Sequence, residues 1–139
     1  MATDQELFDE LSFYTLAHPD PAFIHQLSVD AYTAQHADAT TKPIAVVFAL
    51  MGLYLHLEKN FTGKQVQRAH MKMARQRKEW PRLALPENKA AITVAEVLAA
   101  APGPLRDARI EEWCASVWEA WQASREVIVQ IARTELGVD

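Results

Sequence analysis

The residues best suited to chemistry are an acid and two imidazoles gathered on one short stretch, His25, Asp30 and His36, interleaved with Tyr32 and Gln35, and joined later by His56. A carboxylate with imidazoles is a donor set for a divalent transition metal with open positions, or for general acid–base work near neutral pH. Helical spacing limits which of them can meet. His25 and His36 share a helix face, but at about 1.5 Å of rise per residue they stand about 16 Å apart, too far for one ion with bonds of about 2 Å. Asp30 is not three or four positions from either histidine, so any site must borrow from another helix. The stretch 37–42 is short, which predicts an antiparallel hairpin that sets His25 level with His56. His25, Asp30 and His56 are therefore the candidate metal ligands or acid–base group. The same residues also have a structural reading, in which Asp30 bonds a nearby imidazole and His36 caps the negative end of its own helix.

A second feature is charge. Lys64, Arg68, Lys72 and Arg75 fall on one stripe, and Arg77, Lys78 and Arg82 follow, against Glu79 alone. An aligned basic face over 64–82 is a candidate contact for an anion or polyanion, although it lacks interleaved exposed aromatics and the whole chain carries −4 at pH 7, which makes nucleic acid an unfavoured partner. His70, Met71 and Met73 read as core or core edge. So do Trp113, Trp118 and Trp121, and Cys114 has neither a helix start nor a cation beside it to make it a nucleophile.

These residues must be positioned by helices. No stretch alternates apolar and polar residues for long, while helix start and stop signals recur, so the expectation is an all-α, single-domain helical bundle of about six helices spanning 1–139. Thr3 with Glu6 opens the first helix, which buries Leu7, Phe8, Leu11 and Tyr14 and stops at His18-Pro19. Asp20 caps the second, with Pro21 at its first position and an end near His36. Pro43 opens a third, apolar on every side to about Glu58, whose strip Ala45, Ala49 and Gly52 permits close approach. Thr62 with Gln65 starts a fourth reaching about Glu79, and Thr93 with Glu96 a short fifth beyond the proline-punctuated loop 80–92. A long sixth helix runs from Pro104 to just before Gly137, about 45 Å, with Ile110, Trp113, Cys114, Val117, Trp121, Ile128 and Ile131 as its buried stripe.

Composition narrows the setting. Half of the 139 residues are hydrophobic and 23% charged, the balance of a globular chain. A single cysteine excludes an internal disulfide and points to a reducing, cytoplasmic compartment. The first residues carry Asp4, Glu6, Asp9 and Glu10 instead of a basic start, unlike a secretory signal, and the most apolar run, 44–57, is too short for a membrane span. Exposed Val127 and Val129 on a protruding last helix suggest a homodimer.

Taken together, His25, Val29, Asp30, Tyr32, Gln35 and His36, then Gly52-Leu53, Leu57-Glu58, Thr93-Val94 and Val117-Trp118-Glu119-Ala120-Trp121 resemble an uncharacterised bacterial family of unknown function, over most of the chain. The resemblance directs attention to the polar helix but implies no reaction. Many members of that family begin with a zinc-knuckle-like cysteine pair and follow the tryptophans with histidine, and this chain has neither, carrying Gln122-Ala123-Ser124-Arg125 there. Three functional readings follow, in this order: a polar cluster that is structural or binds a small ligand; a metal-dependent enzyme using His25, Asp30 and His56; and an interaction module built on the basic helix.

Overall fold

The computed structural model describes residues 2–17 and 22–139. Among these the chain forms seven α-helices and no strand: α1 (Asp4–Leu16), α2 (Ile24–Gln35), α3 (Pro43–Lys59), α4 (Gly63–Gln76), α5 (Val94–Ala99), α6 (Pro104–Ala120) and α7 (Arg125–Ile131). They pack as a bundle around α3, whose residues from Val46 to Leu55 are buried apart from the half-buried Phe48. α2, α4, α6 and α7 surround it. No helix among the described residues is long and apolar enough to cross a membrane.

The local start signals operate largely as the sequence predicts. At α1 and α4 a threonine hydroxyl accepts the backbone N–H three residues on while Glu6 or Gln65 reaches back to the threonine's own N–H, which satisfies two otherwise orphaned donors. Thr93 also precedes α5, but its hydroxyl makes no capping bond, and the Glu96 carboxylate accepts from the Arg109 guanidinium. α2 starts later than expected, at Ile24 after a left-handed Phe23, and the expected cap Asp20, the proline Pro21 and the stop His18-Pro19 lie outside the described residues. α4 ends at Gln76, short of Glu79, as Arg77 turns extended.

The last helix departs most from expectation. It is not one 45 Å rod: α6 ends at Ala120, a tight 3-10 turn spans Gln122–Ser124, and the short α7 continues into a π turn, Ala132–Leu136, closed by left-handed Gly137. No proline or glycine marks the break. Tertiary contacts make it: Trp121 donates its indole N–H to the Ala34 carbonyl, while Trp118 and Arg125, on either side of the turn, both grip the Glu58 carboxylate at the end of α3. The bend lays α7 on α3 and buries Val129, which a protruding helix would have left exposed, although Val127 stays in solvent.

Two glycines leave room for close neighbours, a side chain at one and backbone at the other. A Cβ on Gly52 would stand 1.8 Å from Asp30 Oδ2, so α2 and α3 meet here over a missing side chain. A Cβ on Gly63 would stand 2.0 Å from the Phe23 carbonyl, and the Gly63 N–H instead donates to Ala22, drawing the start of α2 over the α3–α4 turn.

Candidate functional site

α3 ends on Asn60 in the left-handed conformation, and the Phe61 N–H reaches back to the Leu55 carbonyl, a reversal that satisfies the helix end and points the chain into α4. The same reversal turns the Phe61 carbonyl toward His56, whose Nδ1–H donates to it at 2.7 Å. With that nitrogen committed, Nε2 faces both carboxylate oxygens of Glu111 on α6, at 2.7 and 2.8 Å. An imidazole that donates at both nitrogens is an imidazolium. The Glu111 hydrogen bond accordingly raises the His56 pKa, against the opposing effect of burial.

This pair sits in a cleft of about 350 Å³, within the range of small-molecule sites. Its walls are the apolar side chains of Ile24, Leu27, Leu57 and Phe61, and its polar groups are His56, Asn60, Thr62 and Glu111. Glu111 keeps 45% of its side chain exposed while His56 keeps 18%. The carboxylate, with lone pairs beyond those His56 occupies, is thus the group open to a further donor.

The other residues singled out in the sequence lie elsewhere, each with its own partners. His25 Nδ1 donates to the Thr15 hydroxyl at 3.0 Å, since that hydroxyl already donates to the Ser12 carbonyl, and burial lowers the His25 pKa. Asp30 is buried on the α3 side of α2; Oδ1 accepts from Gln26 at 3.1 Å, while Oδ2 has no hydrogen-bond partner among the described residues. Desolvation pushes its carboxyl well above the ordinary range. The imidazole nearest to it is His70, at 3.9 Å, too long for a hydrogen bond. His70 Nε2–H is instead spent on the Phe48 carbonyl at 2.7 Å, and burial lowers its pKa. Burial thus disfavours the charged form of both members.

Tyr32 stacks between Phe8 and His36, and His36 bridges the Tyr32 carbonyl and Asp4 on α1. Gln35 is a buried clamp: its amide donates to the carbonyls of Lys89 and Ile92 and accepts the Trp113 indole N–H. His25, Asp30 and His56 are therefore not one cluster, and among the described residues no three histidine, cysteine or acidic side chains are grouped to hold a metal ion. α2 does pack on α3, and Ile24 and Leu27 beside His25 line the same cleft as His56, but His25 bonds Thr15 on α1 while His56 turns to Glu111 on α6. Sequence reasoning missed Glu111, which no short-range pattern connects to His56. The Asn60 that closes α3 is the one local signal for the turn that orients His56.

Lys64, Arg68, Lys72 and Arg75 are all exposed along α4, as their spacing implies. Lys64 lies over the Phe23 ring at 4.3 Å, and no acidic side chain pairs with the other three among the described residues.

A model of a family of unknown function, DUF5946, matches residues 3–122 of this chain. No curated protein and no solved structure matches it.

Proposed function

The chain belongs to the DUF5946 family, one of unknown function, and from that premise we propose that it binds a small organic amine in the cleft around His56 and Glu111. The observation that carries this reading is the His56–Glu111 pair itself: a half-exposed carboxylate, oriented by an imidazolium whose other nitrogen is locked by the Phe61 carbonyl, at the edge of an apolar-walled cleft. An ammonium or amide donor would add to the carboxylate, and an apolar body would lie against Ile24, Leu57 and Phe61. His25, Tyr32, Gln35 and His36 have structural roles in this reading, because each is engaged with the helix or loop packed against it, and Asp30 is held by Gln26 of its own helix against Gly52. A metal-dependent enzyme would need His25, Asp30 and His56 in one place, and they engage Thr15, Gln26 and Glu111 separately.

The test is an amide-resonance titration with phenethylamine, phenethyl alcohol and phenylacetate. Saturable shifts at His56 and residues 60–62 are expected with the amine, weaker ones with the alcohol, and loss of both preference and affinity in Glu111→Gln. Equal response to the carboxylate, or shifts confined to other surfaces, would overturn the assignment.

A further inference from the structure

A second concave surface lies on the opposite flank of Phe61. α4 and the segment after α7 enclose a groove of about 290 Å³, with an apolar floor and far wall of Phe61, Ala69, Leu136 and Val138, and with Arg68 and Lys72 on its rim. Gln76 on α4 donates to the Glu135 carbonyl at 2.8 Å and ties the two walls together, and Lys59 at the end of α3 donates to the Asp139 carbonyl.

The disposition of charge around it is one-sided. α4, Gly63–Gln76, contains no acid at all. The acids of the facing segment are turned onto other cations, Glu135 onto Arg77 and Asp139 onto Arg133, each at 3.9 Å. Arg68 and Lys72, one helical turn apart and both exposed, thus stand over an apolar groove without a counter-charge among the described residues.

We propose that this groove binds a small organic anion, its carboxylate between Arg68 and Lys72 and its hydrocarbon body along Ala69, Leu136 and Val138. Two cations one turn apart suit the oxygens of one anionic head group. The apolar floor beneath them selects an amphiphile over a bare anion, and the concavity selects a small molecule over an extended polyanion, which would run along all four cations of the helix. The far wall lies outside residues 3–122, so the proposal concerns this chain and not its family.

The experiment titrates the full chain with octanoate, octanol and inorganic phosphate at fixed ionic strength, reading amide shifts and affinity. Octanoate is expected to give saturable shifts at residues 65–72 and 136–138, with octanol and phosphate each at least about tenfold weaker. The Arg68→Ala/Lys72→Ala double variant, altered only at exposed positions, is expected to fold normally and to lose the preference for octanoate over octanol. Octanol binding as tightly as octanoate, an unchanged preference in the double variant, or no saturable octanoate shift would each overturn the proposal. So would a single-stranded oligonucleotide that binds along Lys64 to Arg75 with steep salt dependence while octanoate does not.

Discussion

Gly52 and Asp30 face each other where α2 packs on α3: a Cβ on the glycine would lie 1.8 Å from the carboxyl Oδ2. The absence of one methyl group on α3 is what lets α2 seat a carboxyl group inside the core, out of reach of water, with Gln26 as its hydrogen-bond donor.

Gly52→Ala is expected to cost about 1–3 kcal/mol in urea unfolding, because the added methyl group strikes the buried Asp30 carboxyl, which must shift within the packed core. Asp30→Ala in the same chain should return at least about 1 kcal/mol of that loss, since it removes the atom being struck. Strict additivity of the two substitutions would show that the contact is not what limits packing.

Asp30 also sets a pH dependence with an unusual sign for an acid. Its folded-state pKa is raised by burial above the ordinary 3.8, so its contribution to stability falls as pH climbs from that value through the raised one. Asp30→Asn, which keeps an acceptor for Gln26, should remove this fall, and its stability advantage over the parent should grow with pH across that window. Parallel stability curves for the two proteins would contradict the burial argument.

His56 has its own signature. Its pKa is raised, so the His56–Glu111 pair contributes fully below the ordinary 6.5 and that contribution is lost as pH rises through the raised value. His25 and His70, both lowered by burial, act oppositely: their contributions are present above 6.5 and lost on acidification. Proton titration followed on the imidazole resonances should place His56 above His25 and His70, and Glu111→Gln should move His56 down. An unmoved His56 would mean that the carboxylate does not hold it.

Gln35 is expected to be the costliest of the polar helix residues to remove. Gln35→Leu leaves the Trp113 indole N–H and the Lys89 and Ile92 carbonyls without partners, a loss of about 2–3 kcal/mol, with faster amide exchange in 89–92. Exchange unchanged in that loop would show that other contacts hold it.

The caps separate local signal from realised contact. Thr62→Ala should cost about 1 kcal/mol, since its hydroxyl caps α4, whereas Thr93→Ala should cost less than half as much because no capping bond forms at α5. Equal losses at the two sites would refute the distinction.

What could be read from the sequence was what depends on neighbours along the chain. Thr3 and Thr62 cap because their partners are three residues away; α3 is central because it is apolar all round; Ala45, Ala49 and Gly52 announce a close crossing; and the cations of α4 share a face because their spacing matches a helical turn. The resemblance to a family of unknown function was legible in the same way, in short motifs, and the family match bears it out.

Tertiary structure alone decided the rest, because it concerns which side chains meet across helices. The apolar spacing runs unbroken through Trp121, so nothing local marks the turn that Ala34 and Glu58 impose there. Glu111 reaches His56 only because α6 crosses the end of α3, and His70 comes to lie by Asp30 only because α4 packs beside α2. Helical periodicity states which face a residue occupies and how far along the axis it lies; the azimuth and tilt of the neighbouring helix, set by the summed packing of the whole core, determine what that face touches.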